Sequence, residues 1–372
     1  MSLMPSSPEG RQYQRRLKDQ LVRYLIMIKK SFHRPKTDKD HYLLRFPQMP
    51  LRVSWLACFL LFSLSIFISG CPASSQRDVK NSRIAYDLGC DYMNKNQGRA
   101  AFEQYIKAVE LDPEFADGHN ALGLMYFGMK EYEKAERHLK TAIKLNPDVP
   151  DYYNNLGRVY SEVGRYKEAI ESFKKAISFL VYATPHFAHA NLGWAYYKNG
   201  QEEEAFKELN TALQISPNFC LGYRLLGIIY SEKNQPIDAL RNLNKYREYC
   251  PDDPEPYFMI GEVKNRFQLA SKDEVISDYM KSLEKRPVFC PSIKALGNLY
   301  YNGKNNQLAL SYYENFISAC GDDAEVFLNI ADLYCKNGDR NKARVYLVSC
   351  IEKWKNTNYS SSCQKMLETI SQ

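Results

Sequence analysis

The segment NLGRVY, residues 155–160, is the best-defined copy of a motif that recurs along the whole second part of the chain. Close copies are ALGLMY at 121–126, NLGWAY at 191–196, LLGIIY at 225–230 and ALGNLY at 295–300, and looser copies stand at 87–92, 259–264 and 329–334. The units that contain them begin at residues 82, 116, 150, 186, 220, 254, 290 and 324. A constant period of 34 to 36 residues predicts an array of similar structural units.

The repeated columns explain how each unit folds. A small residue recurs at one place, glycine in seven units and Ala331 in the eighth, and a tyrosine follows three residues later in all units except the sixth, which has Lys264. Small residues let two helices cross closely, and tyrosine and leucine fill the remaining space. Prolines such as Pro113 and Pro147 cannot continue a helix and mark the end of the second helix of a unit. The pattern predicts two antiparallel helices per unit, stable only as a stack.

This order of residues, aromatic-x₂-Leu-Gly-x₂-Tyr, then Ala-x₃-aromatic and Pro, resembles the tetratricopeptide repeat. The resemblance implies an all-α superhelix of about eight helix-turn-helix repeats over residues 82–356, with a capping helix over 357–372. It also implies that protein segments bind in a groove lined by the first helices. The positions that face the groove in this family are occupied here by Tyr86, Asn120, Asn154, Arg158, Trp194, Tyr197 and Arg224, followed by Phe258 and Tyr301. Such a lining suits an extended peptide, and packing between helices is the alternative role for each residue.

The first part of the chain has the order of a secretory signal. In residues 49–70, Arg52 precedes a charge-free run of 16 residues, 53–68, and then small residues. That run spans about 24 Å as a helix, short of a bilayer core of about 30 Å. Its end, Ile68-Ser69-Gly70-Cys71, resembles a bacterial lipobox. The resemblance implies that the Cys71 thiol is alkylated with diacylglycerol, that the chain is cut before Cys71, which becomes the first residue of the mature protein, and that the new amino terminus is acylated, for example with palmitate. An uncleaved anchor helix is the alternative. Residues 71–81 are expected to be a polar tether.

Charge separates the two parts. The net charge is +7, but residues 1–70 hold 12 basic and 4 acidic residues, whereas the rest holds 38 and 39. The near-neutral repeats have no basic stripe, so a nucleic-acid partner is not expected. The basic extension, 1–48, is either a product of a start codon assigned too early or a cytoplasmic tail.

No sequence signature of catalysis accompanies the repeats. The P-loop, dinucleotide-binding, zinc-protease and serine-hydrolase motifs are absent from the sequence. His186 and His189 have an H-x-x-H spacing, but their repeat positions favour packing over metal binding. We therefore expect a protein-binding chain rather than an enzyme, without cofactor or small-molecule substrate. Lys294, Asn298 and Asn329 form only part of the carboxylate clamp of chaperone-binding arrays.

The cysteines after Cys71 suggest disulfide bonds. Cys220 and Cys250 occupy the first and thirty-first positions of repeat five, and Cys290 and Cys320 occupy the same positions of repeat seven. In an antiparallel pair these positions are close, so we predict two bridges, with Cys350–Cys363 as a possible third. Packing as unbonded small apolar groups is the alternative. Cys90 and Cys335 lie at opposite ends and are expected to be free thiols.

A lipobox followed by such repeats resembles the pilotin lipoproteins of type IV pili, the PilF/PilW/Tgl group, most clearly at ATPHFAHANLGWAYYKNG, residues 183–200. The resemblance implies an outer-membrane lipoprotein that faces the periplasm and helps secretin subunits assemble into their ring. Pro72, rather than an aspartate, follows the cysteine, which favours the outer membrane. The alternatives are a periplasmic scaffold that docks cell-wall enzymes or other envelope proteins, and a cytoplasmic co-chaperone. The chain departs from the group in having about two extra repeats.

Overall fold

The computed structural model describes residues 76–371, which form 17 α-helices and, within that range, no strand. The helices are α1 Gln76–Asn94, α2 Gly98–Leu111, α3 Ala116–Gly128, α4 Tyr132–Leu145, α5 Pro150–Glu162, α6 Tyr166–Ile177, α7 Pro185–Lys198, α8 Glu202–Ile215, α9 Cys220–Glu232, α10 Pro236–Tyr249, α11 Glu255–Arg266, α12 Lys272–Lys285, α13 Cys290–Asn302, α14 Asn306–Cys320, α15 Ala324–Lys336, α16 Arg340–Lys353 and α17 Asn358–Ser371.

Consecutive helices pack as eight pairs, from α1 with α2 to α15 with α16, and each second helix also contacts the first helix of the next pair. The last helix, α17, packs against α16 and α15 and covers the open end of the stack. The core therefore runs along the array as a chain of clusters, each shared by neighbouring pairs. The eight helix pairs expected from the sequence period are all present among the described residues.

Close helix crossing explains the regular spacing of small residues along the chain. At Gly193 in α7, a Cβ atom would lie 2.8 Å from Cγ of Leu209 and 2.9 Å from the carbonyl oxygen of Ala205, both in α8. Ala205 and Leu209 are fully buried. Because one of these neighbours is backbone, a larger residue at this position cannot be accommodated by a side-chain rotation alone.

Two features of the ends and connections differ from a uniform array. Helix α1 begins at Gln76, so residues 76–81 of the expected tether are helical; Gln76–Lys80 contains good helix formers, with Asp78 in the first turn, and no proline or glycine. The two 36-residue units carry their extra length in the connections 178–184 and 267–271.

Residues 1–48, the signal segment 49–70 and Cys71 lie outside the described residues. Of the described helices, none has both the length and the apolar content needed to cross a bilayer.

Three disulfide bonds join the pairs that the spacing suggested. Cys220 is bonded to Cys250 and Cys290 to Cys320, with Cα atoms 6.3 and 5.8 Å apart. Each of these bonds ties the start of a first helix to the end of its second helix. Cys350 is bonded to Cys363, with Cα atoms 6.4 Å apart, and so fastens α17 to α16. Cys90 and Cys335 are free thiols.

Candidate protein-binding groove

The first helices carry the predicted groove residues on successive repeats. Two asparagine pairs link these helices side by side: Nδ2 of Asn155 donates to Oδ1 of Asn120 over 2.9 Å, and Nδ2 of Asn191 donates to Oδ1 of Asn154 over 3.0 Å. Asn155 and Asn191 each come one residue after the groove position of their own repeat. Each donates to the asparagine that occupies the groove position of the preceding repeat. Each bond orients the acceptor asparagine, whose own amide N–H groups take no part in that bond.

Ion pairs also connect neighbouring first helices. They include Arg83 with Asp117 at 3.5 Å, Lys198 with Glu232 at 3.1 Å, Arg224 with Glu255 at 2.7 Å and Lys294 with Glu325 at 2.8 Å. Each joins a residue of one repeat to a carboxylate of the next. Most groove charges are thus compensated within the protein, and these pairs fix the lateral position of the helices more than they supply free charge for a ligand.

Arg158 in α5 is different. No carboxylate among the described residues lies within salt-bridge distance of its guanidinium, whose central carbon is 4.9 Å from the centre of the Phe127 ring in α3. Burial lowers the pKa of Arg158, while Glu162 acts in the opposite direction. An arginine keeps its proton under these conditions. The groove of repeats two and three therefore contains a half-buried positive charge held by an aromatic face.

An aromatic cluster lies one repeat further along. The rings of Trp194 and Tyr197 in α7 are 5.9 Å apart, and the ammonium of Lys198 lies 4.5 Å from the Trp194 ring. The Tyr197 hydroxyl donates to Glu232 over 2.9 Å. Burial and the Glu232 carboxylate raise the pKa of Tyr197 to about 12, so the hydroxyl stays protonated. Trp194 and Tyr197 are both partly exposed, and they offer an apolar surface with fixed polar edges.

Asn154 is buried, and two further predicted groove residues are more engaged in internal packing. The Tyr86 ring contacts those of Tyr105 and Phe115, with centroids 5.7 and 5.3 Å away, and burial raises its pKa to about 12. Arg224 has one guanidinium nitrogen on Glu255, and its Nε is buried without a hydrogen-bond partner. These contacts favour the structural alternative for both side chains.

The partial carboxylate clamp is occupied by internal partners. Lys294 contacts Asp323 at 3.0 Å and Glu325 at 2.8 Å, so its charge is neutralised. The Tyr313 hydroxyl donates to Oδ1 of Asn298 over 2.6 Å and accepts from Nδ2 of Asn329 over 3.0 Å. Lys294 and Asn298 line a polar cleft of about 570 Å³ between α11, α12 and α13.

The histidine pair has ordinary partners. Nδ1 of His189 lies 2.6 Å from a Glu208 carboxylate oxygen, and the His186 ring packs edge-on against Phe219 at 4.7 Å. Within residues 76–371, no three His, Cys, Asp or Glu side chains converge as metal ligands do.

Sequence reasoning missed Phe127, Asn155 and Asn191, which hold or orient predicted groove residues. A signal was present for the asparagines, because both are the first letter of the aligned NLG motif. Nothing in the sequence pattern indicated that Phe127 is the partner of Arg158.

Comparison with known proteins identifies the repeats. Family models described as tetratricopeptide repeat or TPR repeat match residues 89–130, 114–180, 186–219 and 325–357. The described residues therefore form an all-α array of tetratricopeptide repeats.

Similarity to individual proteins is limited. Tetratricopeptide repeat protein 37 of Xenopus laevis is 26% identical over 255 residues, which cover 67% of this chain and 16% of that protein. The repeat protein trd-1 of Caenorhabditis elegans is 28% identical over 205 residues, or 54% of this chain and 26% of that protein. The chain thus matches about a quarter or less of the length of these two relatives.

Solved structures share the fold. PilW, described as a widely conserved type IV pilus biogenesis factor, aligns with a TM-score of 0.50 at 22% identity and covers 55% of this chain and 94% of its own. The Cut9–Hcn1 hetero-tetramer of the APC/C aligns with a TM-score of 0.53 at 17% identity over 83% of this chain and 58% of that chain. At these identities the likeness concerns the fold.

Proposed function

We propose that this chain is a non-catalytic lipoprotein, anchored through Cys71 at the periplasmic face of the outer membrane, that binds a secretin subunit in its groove and promotes secretin assembly. The proposal combines the lipobox-like Ile68–Cys71, the pilotin-like segment 183–200 and the groove described above. PilW is a type IV pilus biogenesis factor with this fold, and we extend a role in pilus biogenesis to this chain.

The observation that carries the binding proposal is Arg158 on Phe127, with no carboxylate of the described residues within salt-bridge distance, one repeat before Trp194 and Tyr197. A cation that has an aromatic partner and no salt bridge suits a ligand carboxylate or carbonyl oxygen, which would form a charge-assisted hydrogen bond there. Large aromatics and arginines are also the residues that most often dominate interface energies.

The asparagine pairs suggest how a ligand backbone is bound. Because Asn155 and Asn191 use one amide N–H on the preceding repeat, the paired side chains are held at regular intervals along the groove. Asn154 and Asn155 are buried, whereas Asn120 and Asn191 are only partly buried and present side-chain amides that an extended peptide can reach. We infer that the bound part of the secretin subunit is an extended segment with an acidic residue near Arg158 and an apolar residue against Trp194.

The test is a binding measurement with the purified full-length chain in detergent and the secretin subunit from the same cell. Arg158→Ala/Trp194→Ala should weaken binding by tenfold or more, since truncating one such anchor can cost about 2 kcal/mol. The matched control, Arg99→Ala/Tyr359→Ala, removes the same kinds of side chain from exposed positions outside the groove and should bind as the wild type does.

The outcomes separate the two parts of the proposal. If the wild-type chain does not bind the subunit, the secretin assignment is wrong, and a scaffold for cell-wall enzymes becomes the leading interpretation. If both double variants bind equally well, with unchanged circular dichroism, the ligand binds elsewhere on the array.

A further inference from the structure

The connection between α6 and α7, residues 178–184, exposes two apolar side chains at its tip. It has seven residues, whereas the connection between α4 and α5, residues 146–149, has four. Leu180 and Val181 are 103% and 90% exposed, more than any other large hydrophobic side chain among the described residues. Single exposed aliphatic residues are common, but two adjacent and fully exposed ones suggest an interaction surface. We call Leu180 and Val181 the apolar tip.

The neighbours of the apolar tip hold it in position. The Phe179 ring packs against the Tyr153 ring with centroids 5.7 Å apart, and the Lys175 ammonium lies 5.1 Å from the Phe179 ring. On the other side, Tyr182 is half-buried and its hydroxyl is enclosed by the protein. Both flanking aromatic residues are thus fixed to the stack, and the tip between them is presented to solvent.

An apolar cleft of about 660 Å³ adjoins the tip, between α4 and α6 and above α5. Its apolar walls consist of Ile143, Tyr153, Leu156 and Tyr160, and its rim consists of Lys140, Lys167, Glu168, Glu171, Ser172 and Lys175. Tyr153 and Lys175 take part both in the cleft and in the packing of Phe179, so the tip rises from one end of the cleft. The full exposure of the tip shows that it does not occupy the cleft of its own chain.

We propose that a second copy of this chain occupies the cleft, and that two copies form a reciprocal dimer in which each apolar tip inserts into the cleft of the other. Residues 178–184 carry no charged side chain, in keeping with the apolar cleft walls. Because the apolar tip and the cleft adjoin on one face, a single two-fold axis places the tip of each copy against the cleft of the other. The proposal is independent of the secretin assignment and uses a surface separate from Arg158 and Trp194.

One physical argument favours a second copy of the chain over a lipid bilayer, and another shows how strongly two copies would bind each other. No backbone-to-backbone hydrogen bond joins residues 179–183 to the rest of the described chain, and unpaired backbone groups are unfavourable in hydrocarbon. A protein cleft with a polar rim can form hydrogen bonds with these backbone groups.

The buried area limits the affinity of the dimer. Each tip side chain buries roughly 100 Å², so two tips and the walls they cover hide about 800 Å². That area is small, so the dimer is weak and concentration-dependent.

Disulfide cross-linking between two copies tests the geometry. Full-length chains carrying Leu180→Cys and, separately, Ser172→Cys with a different tag are mixed in detergent and oxidised. We expect several-fold more mixed covalent dimer than from the control pair Val345→Cys and Ser172→Cys, because Val345 is 64% exposed but lies on α16. The free thiols Cys90 and Cys335 are present in both pairs. Equal yields from the two pairs overturn the proposal.

Sedimentation of the full-length chain tests the energetics. The wild type should pass from monomer to dimer as its concentration rises, and Leu180→Ser/Val181→Ser should weaken self-association about a hundredfold, whereas Val345→Ser should leave it unchanged. A wild type that stays monomeric up to about 100 μM, or a tip variant that dimerises as well as the wild type, overturns the proposal. Binding to phosphatidylcholine–phosphatidylglycerol vesicles that the tip variant abolishes would also overturn it, in favour of a lipid surface.

Discussion

Replacement of Gly193 by alanine tests the reason for the small-residue column. The new Cβ would lie 2.8 Å from Cγ of Leu209, 2.9 Å from the Ala205 carbonyl oxygen and 3.2 Å from the Leu209 amide nitrogen. Because two of these three atoms are backbone, α7 and α8 must move apart. Overpacking of this kind costs about 1–3 kcal/mol, and the better helix propensity of alanine returns up to about 1 kcal/mol. Since two of the contacts are with backbone, the upper part of that range, about 2–3 kcal/mol, applies, and we expect a net loss of about 1–2 kcal/mol.

Gly128→Ala is the matched control, since Gly128 also lies in a first helix and a Cβ atom added there would have no neighbour within 4 Å. It should leave stability unchanged or raise it by up to about 1 kcal/mol. The assay is thermal unfolding by circular dichroism, supplemented by hydrogen exchange of α7 and α8, because repeat arrays can open locally. If Gly193→Ala unfolds at the wild-type temperature and exchanges no faster in these helices, close crossing does not explain the glycine column.

Other predictions concern the disulfides, two partly buried histidines and the groove. Replacing Cys220 and Cys250 by serine opens a loop with a sequence separation of 30 residues and should lower stability by about 2–4 kcal/mol, measured by denaturant unfolding; an unchanged midpoint would refute a stabilising role. The Nδ1 atoms of His119 and His138 lie 3.1 Å apart, and burial lowers the pKa of both imidazoles. The stability that the two neutral histidines contribute is therefore complete above the pKa of about 6.5 that they have in the unfolded chain. It is lost as the pH falls through their lower pKa values in the folded protein. A variant with glutamine at both positions should lose less thermal stability than the wild type between about pH 7.5 and 5, and an equal loss would contradict this. In the groove, Phe127→Leu should reduce ligand binding through loss of the ring that holds Arg158, without lowering the helical signal.

Much of the fold could be predicted because its determinants are periodic. The glycine and tyrosine columns and the terminating prolines predicted helix pairs whose starts agree with the structure within one residue for seven of the eight repeats. The repeat positions of the cysteines predicted two of the bonded pairs, and they indicated the third, Cys350–Cys363, only as a possible bridge across the final turn. The start of α1 was missed because the residues before the first repeat motif lie outside the period, although their helix propensity is high.

The details of the groove could not be predicted in the same way. Which side chains meet across neighbouring repeats depends on the lateral offset of the first helices, and a sequence period does not specify that offset. The repeat pattern therefore did not distinguish Arg224 from Arg158. In the structure, Arg224 forms an ion pair with Glu255, whereas Arg158 packs on the ring of Phe127. The exposure of Leu180 was equally hidden, because an apolar residue in a long connection can fold back or point outward.

The most direct test of the proposed function is the amount of heat- and detergent-resistant secretin multimer in membranes of cells that lack this gene. We predict that the multimer disappears on deletion, returns with the wild-type gene and with Arg99→Ala/Tyr359→Ala, and does not return with Arg158→Ala/Trp194→Ala at equal protein level. A deletion strain that retains the full amount of multimer would show that this chain does not promote secretin assembly.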